Sequence, residues 1–497
     1  MFTTCHFALN EGGSKMDKKL LSLLVAPLLL GMTAHAEEAT CYEAEKAILH
    51  GKNRIVTEAS ASGWKAVGQF ESAEDTVEFT ISVPADGMYD LTLSSKGIGG
   101  SKINNVLVDG QQIGTFESIG TMYSASTLKG VLLSAGEHSV VISPSWGWMY
   151  LDCLTVSPSQ GIDNSVYDVQ TELINPNATE NTRKLYSYLK ESYGKVTLSG
   201  QVCDGGINGK EIQAIYKVTG KYPAMLGLDM MDYTPSRRAL GAANPTAVQR
   251  AIEYHEKGGI VTFCWHWSAP KQYILDGKDE NGNPRWWGGF YTENVTYDIA
   301  AVMNGADPDG KKQLDADIAG IAEQLLKLQD AGVPLLWRPL HEASGGWFWW
   351  GAQGPEACKQ LWIYLYDQLT NVHGCNNLIW VWNGQAADWY PGDEYVDIIG
   401  EDIYAPNRSY NAQNAKFSEL LEYAGENKII ALTENGVVFD IDSVVATNAR
   451  WAWFNTWSGD FVQRDGKYSE AYTEKDILIK AYDSAYVITR DEVPDLY

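Results

Sequence analysis

Positive charge is in short supply in this sequence. Lys and Arg number 38 against 63 Asp and Glu, and the formal net charge is -25. A nucleic-acid or anionic-membrane partner needs a basic face, so neither is expected. The acidity itself serves solubility. Nucleotide signatures are missing as well: no GxGxxG or P-loop follows an early strand, which weakens an open doubly wound sheet. No CxxC pair and no His-rich metal cluster occurs, so catalysis is expected to need no cofactor. The apolar run from Leu20 to Leu30 is too short to cross a bilayer stably, and no membrane span is expected.

What the chain does have is aromatic surface, 18 Trp and 27 Tyr in 497 residues. With 45% hydrophobic and 20% charged residues it can fill two or three domains with sizeable cores. Sugar rings stack on flat aromatic faces while polar rims bond their hydroxyls, so this composition suits a carbohydrate ligand. The N-terminus reads as an export signal: Asp17-Lys18-Lys19 after Met16, the apolar run, then Ala34-His35-Ala36 as the cleavage site. Residues 1–36 are therefore expected to be an upstream extension and signal peptide, leaving a secreted or periplasmic monomer. Of the 7 cysteines, Cys5 precedes the signal, and an even number remains for an oxidising compartment. Cys41–Cys153 and Cys358–Cys375 are the candidate bridges.

Residues 37–157 read as all-β. Short alternating runs cover Thr76–Val83, Tyr89–Ser94, Asn105–Val108, Leu128–Leu133, Ser139–Ser143 and Met149–Val156. Turn signals at Pro84-Ala85-Asp86-Gly87, Asp109-Gly110 and Ala135-Gly136 separate them, the pattern of a sandwich or barrel. With no nucleophile or histidine constellation, this is a binding module. Tyr42-Glu43-Ala44-Glu45 and Met149-Tyr150-Leu151-Asp152-Cys153-Leu154 resemble the two ends of a family 35-type carbohydrate-binding module. The resemblance implies a jelly-roll β-sandwich and a structural Ca²⁺ held by Glu43, Glu45 and Asp152. Alternation along a strand would put Glu43 and Glu45 on one face, and hard oxygen ligands suit calcium. Trp146 and Trp148 stand as either a sugar platform or core packing.

Residues 158–178 are polar and weakly patterned, a linker. From 179 to 497 strands alternate with helices. Candidate strands are Lys195–Gly200, Pro223–Asp229, Gly259–Trp265, Val333–Pro339, Asn377–Trp382, Val396–Glu401, Ile429–Thr433 and Trp451–Thr456. Asn244-Pro245 predicts a helix start and Gly258 its end. Leu314, Ile318, Ile321, Leu325 and Leu328 mark one helical face, and Pro355 to His373, stopped by Gly374, predicts another helix. The fold class is α/β, a (β/α)₈ TIM barrel behind the β-sandwich. Residues 268–310, with Trp286-Trp287 and Phe290-Tyr291, form a long insertion after the third strand, and such loops usually serve the site.

Barrels of this kind carry their chemistry at the strands' C-terminal ends. The fourth strand runs out into Arg338, His341 and Glu342, followed by Gly345-Gly346-Trp347-Phe348-Trp349-Trp350; the seventh ends in Glu434-Asn435-Gly436. Strands four and seven face each other across a closed barrel, which offers two carboxyls at the separation of a sugar-cleaving site. Tyr404 would hold Glu434 anionic as nucleophile, while Glu342, under aromatic walls, acts as acid. The bland alternative is that Arg338 pairs with Glu342 and merely props up the barrel. Trp337-Arg338-Pro339-Leu340-His341-Glu342, Phe263-x-Trp265-His266-Trp267, Glu401-Asp402-Ile403-Tyr404 and Leu432-x-Glu434-Asn435-Gly436 together resemble glycoside hydrolase family 26. Most members of that family are retaining endo-β-1,4-mannanases. The resemblance implies Glu342 as acid/base and Glu434 as nucleophile. It also implies that His266, Trp267, His341, Trp347, Asp402, Tyr404 and Trp457 line the subsites on a β-mannan chain. Mixed-linkage β-glucan and β-1,3-xylan stay open as substrates, as does exo action; the alternative from another class is a catalytically inactive glycan-binding protein. Trp382 reads as packing and Asn383 is undecided.

Overall fold

The turn at Asp109-Gly110 shows how local chemistry sets the first module. Both residues have positive φ, 49° and 81°, the geometry of a tight hairpin turn between Lys102–Val108 and Gln111–Ser118. In the computed structural model, which describes residues 39–145, 147–278, 282 and 285–497, that hairpin belongs to a two-sheet sandwich. One sheet orders Arg54–Thr57, Lys65–Gly68, Met149–Pro158, Gly87–Gly97 and Ser124–Leu133, with Thr40–Glu43 beside Met149–Pro158. The other orders Ile48–Leu49, Val77–Val83, Gly136–Pro144, Lys102–Val108 and Gln111–Ser118. Val77, Phe79, Ile81 and Val83 point inward at every second position and meet Leu91, Leu93, Leu151 and Leu154 from the facing sheet. The export signal and Trp146 lie outside the described residues. No helix among the described residues is long and apolar enough to cross a membrane.

Two expectations about this module need correcting. Glu43 ends a strand, but Glu45 sits in the 3₁₀ turn Ala44–Lys46, so strand alternation does not align the pair. The cysteines of the described residues are all free. Cys41 lies opposite Thr155, and Cys153 lies opposite Glu43. On this diagonal the two thiols are hydrogen-bonded neighbours, yet both remain free rather than joined. Cys358 is buried without a bridge, and the buried Cys375 donates its S–H to the Ala322 carbonyl at 3.8 Å.

The second module closes eight parallel strands into a barrel: β1 Thr197–Val202, β2 Met225–Asp229, β3 Ile260–Cys264, β4 Leu335–Arg338, β5 Leu378–Trp382, β6 Ile398–Ile403, β7 Ile429–Asn435 and β8 Trp453–Thr456. β8 pairs with β1 and β1 with β2, completing the ring. Nearly every strand residue is buried, as expected where helices cover the outer face and side chains fill the inside. Between Glu401 and Asp402 the β6–β7 register shifts by one, so Asp402 faces Glu434. A bulge of this kind beside a barrel mouth re-aims side chains toward the site.

The helix Pro308–Asp330 buries Leu314, Ile318, Ile321, Leu325 and Leu328 as its periodicity predicts. Pro355–Tyr366 runs on as a π-helical turn, Asp367–Val372, and stops at Gly374, whose φ is 71°. The helix placed at Asn244-Pro245 instead spans Ala247–Glu256. Asn244 has φ 52°, so Asn-Pro forms the preceding turn rather than the cap. Residues between the modules are bound to the barrel: the Tyr167 hydroxyl donates to the Asn448 carbonyl, and Ile174 N–H donates to Asp397 Oδ1 at 2.9 Å. The modules also touch directly. Asn414 Nδ2 donates to the carbonyls of Lys129 and Gly130 at 3.0 and 2.5 Å, and Lys129 Nζ pairs with Glu422 at 2.5 Å.

Candidate active site

β4 delivers Arg338 into the barrel and then turns sharply. Leu340 and Glu342 both adopt left-handed backbone, φ 52° and 54°, a costly conformation for residues with side chains and one that clusters at functional sites. Asn383, at the end of β5, pins this turn. Its carbonyl accepts the Glu342 N–H at 2.8 Å, and its Oδ1 accepts it at 3.1 Å. Asn383 Nδ2 donates to Asp402 Oδ1 at 3.0 Å and to Thr433 Oγ1 at 2.8 Å. The residue left undecided by sequence thus joins the ends of β4, β5, β6 and β7.

Arg338 does not pair with Glu342. It bridges the other two carboxylates instead, Nη1 to Asp402 Oδ2 at 2.8 Å and Nη2 to Glu434 Oε1. All three groups are buried. Burial works against the guanidinium, but Asp402 and Glu434 outweigh it and keep Arg338 charged. Glu434 also accepts the Tyr404 hydroxyl at 2.7 Å, while Tyr404 remains 44% exposed at the mouth. Burial, reinforced by Glu434, holds the Tyr404 phenol above its ordinary range, so it stays a proton donor.

Glu342 reaches the same centre from the opposite wall. A carboxylate oxygen from each of Glu342, Asp402 and Glu434 lies within 4.8 Å of the others. Glu342 is raised above the ordinary carboxylate range, first by burial and then by the charge of Glu434. Its Oε2 accepts the Trp347 indole N–H at 3.0 Å. Trp347 is 45% exposed on the glycine loop, a flat face open to solvent.

Two histidines form the third wall. His266 Nδ1 bonds Asp229 Oδ2 at 2.6 Å, and its Nε2 meets His341 Nε2 at 3.3 Å. Burial opposes protonation of His266, yet the charge and hydrogen bond of Asp229 raise it overall. Burial and the neighbouring His266 push His341 well below its usual range. His266 therefore holds a proton to higher pH than His341 does, and the His341 Nδ1 is buried without a partner among the described residues. The Trp457 ring centroid lies 6.1 Å from His266.

The remaining candidates stand behind this surface. The Asp402 side chain has no exposure; Arg338, Asn383 and Thr433 occupy its oxygens, so it acts through Arg338 rather than by touching a ligand. Burial raises it well above its ordinary range. Trp267 is buried, stacked on Trp265 at 3.9 Å, and its indole donates to Asp317. Trp382 packs edge-on against Tyr390 and Tyr423, as expected of a core residue. Sequence reasoning missed Asp229 and Thr433. Asp229 closes β2, so its place at a strand end was the available signal; Thr433 carried none.

A parallel eight-stranded barrel with facing glutamates at the ends of β4 and β7 defines a glycoside hydrolase. The chain belongs to glycosyl hydrolase family 26, whose family model matches residues 174–492. Residues 40–159 match the model of carbohydrate binding module family 35. Among curated relatives, a mannan endo-1,4-beta-mannosidase of Thermothelomyces thermophilus is 38% identical over 92% of this chain and 90% of its own length. Mannan endo-1,4-beta-mannosidase B of a Piromyces species is 35% identical over 95% and 80%. Among solved structures, the Podospora anserina GH26-CBM35 beta-(1,4)-mannanase shares 39% identity and a TM-score of 0.64, covering 92% of this chain and 99% of that one.

Proposed function

We propose that the chain is a secreted, monomeric endo-β-1,4-mannanase that cleaves internal bonds of mannan, glucomannan or galactomannan with retention of configuration. The observation that carries this reading is the placement of Glu342 and Glu434 oxygens within 4.8 Å, close enough for one carboxylate to attack where the other protonates. The relatives named above supply the substrate class. Glu434, positioned by hydrogen bonds from Arg338 and Tyr404, attacks the anomeric carbon. Glu342, raised and therefore protonated over a wider pH range, gives its proton to the leaving oxygen. A water then attacks the glycosyl–Glu434 ester, with Glu342 now taking the proton. His266, His341, Trp347, Tyr404 and Trp457 surround the sugar at the reacting bond. Asp402 and Trp267 support them from behind.

The sandwich of residues 37–157 binds polysaccharide, and 158–178 joins it to the catalytic residues 179–497. A calcium ion is assigned to its first turn with Glu43, Glu45 and Asp152 as ligands, although their carboxylate oxygens do not all lie within 4.8 Å of one another. Glu43 Oε2 accepts the Ser62 hydroxyl at 2.5 Å and Asp152 Oδ1 accepts the Ser62 N–H at 2.9 Å. Glu45 stands by Gly63, and its Oε2 is buried with no partner among the described residues. An ion there would satisfy that oxygen and fix the Ser62–Gly63 turn. Chelation with EGTA should lower the melting temperature of the module.

Product analysis tests the whole. Incubation with locust bean galactomannan, barley β-glucan and β-1,3-xylan should release a spread of manno-oligosaccharides early, from the first alone. Mannobiose as sole product would mean exo action, and activity confined to barley glucan would reassign the substrate.

A further inference from the structure

The contact between the two modules is not closed. Beside the Asn414 contact lies a cavity of about 380 Å³, walled on one side by the module strands Gln111–Ser118 and Ser124–Leu133 and on the other by the end of β6 and the helix Asn414–Leu420. That volume falls in the range of small-molecule sites, roughly 300–1,000 Å³. Its lining mixes aliphatic surface, Ile113 and Leu128, with hydrogen-bonding groups, Thr115, Thr127, Gln413 and Glu401. The charged groups around it are paired among themselves. Lys416 Nζ lies 3.7 Å from Glu401 and 2.9 Å from Glu419, and Lys129 pairs with Glu422. Three carboxylates against two ammonium groups leave nothing to attract an anion, and the hydroxyl, amide and aliphatic lining suits a neutral, hydroxyl-rich ligand.

Two observations tie the cavity to the catalytic centre. Tyr404 belongs to both: it lines the cavity, and its hydroxyl donates to Glu434. Glu401 precedes Asp402 on β6 and is 4% exposed, and its Oε2 has no partner among the described residues. A buried carboxyl oxygen without a partner is costly, and such positions persist where a ligand or water completes them. Burial pushes Glu401 up to about 7, with Lys416 working against that shift.

We propose that this junction cavity is a saccharide subsite, formed jointly by the two modules, that receives a neutral hexosyl unit of the same glycan held across Glu342 and Glu434. The proposal rests on the mannanase reading above. The unit is either a continuation of the backbone past Tyr404 or a side-chain sugar on it; both present the same hydroxyl and C–H surfaces. Each module supplies one wall, so the subsite exists only while the sandwich is docked.

The test uses the full chain with Thr115→Trp, and separately Thr127→Trp, each an exposed module residue whose bulk would fill the cavity. Kinetics are compared on mannotetraose, mannohexaose and a galactosyl-branched mannopentaose. The expected result is unchanged kcat and KM on mannotetraose, with a roughly tenfold rise in KM on the substrate that reaches the cavity. A rise on mannohexaose identifies a backbone extension, and a rise confined to the branched substrate identifies a side-chain sugar. Full activity of both variants on all three substrates would overturn the subsite and leave the mannanase reading standing. A wild-type chain that cleaves none of them would overturn both.

Discussion

The indole N–H of Trp347 donates to Glu342 Oε2 at 3.0 Å, so the exposed aromatic face and the raised carboxyl are one unit. Burial and Glu434 raise Glu342, while this hydrogen bond favours its anion and lowers it. A general acid is lost as pH rises through its pKa, so Glu342 sets the alkaline limb of kcat/KM. Trp347→Phe removes the lowering contact, and the alkaline limb should move to higher pH. A limb that stays in place or moves down would remove Glu342 from the acid role.

Glu434→Ala should lower kcat by about 10⁴-fold, as removal of a nucleophile does elsewhere. Sodium azide should fit the vacated space and restore turnover, giving a glycosyl azide of inverted configuration. Wild-type rate in this variant would end the assignment. Glu342→Ala should instead slow poor leaving groups most, which comparison of aryl mannosides with mannan would read.

Arg338 is the common partner of Asp402 and Glu434, both nearly fully buried. Breaking a buried ion pair by deleting one partner typically costs about 3–5 kcal/mol, because the other charge is left stranded. Arg338→Met should therefore lower unfolding stability by about that amount and abolish activity. A loss below about 1 kcal/mol in denaturant titration would show that the network is not what holds these carboxylates.

Glu401 is raised to about 7 by burial, against Lys416 and with help from Glu419 and Glu342. A carboxyl raised in the fold binds its proton more tightly there than in the unfolded chain. Its contribution is present below the usual range near 4.5 and is lost as pH rises through about 7. Glu401→Gln should flatten the decline in melting temperature between pH 5 and 7. An unchanged slope would contradict the shift.

Much of this was legible in the sequence for one physical reason. Barrel strands buried on both faces must be short apolar runs, and the site must stand where those runs turn polar, as at Arg338 and Glu434. Where that contrast failed, so did sequence reasoning. Ile48–Leu49 and Arg54–Thr57 are edge strands with little burial, and no alternation marked them. The facing of Asp402 and Glu434 depends on a register shift between β6 and β7, which neither strand encodes alone. The partners of Arg338 follow from that same register. Asn383 carries no charge and no pattern, yet its amide joins four strand ends, a role visible only once the ring is closed.

The most direct test of the paired glutamates is the anomeric configuration of the first product. Proton NMR of mannohexaose cleavage, recorded within the first minutes, should show the β-anomer of the new reducing end accumulating first and mutarotating later. The α-anomer appearing first would mean direct displacement by water, and Glu434 would not be the nucleophile.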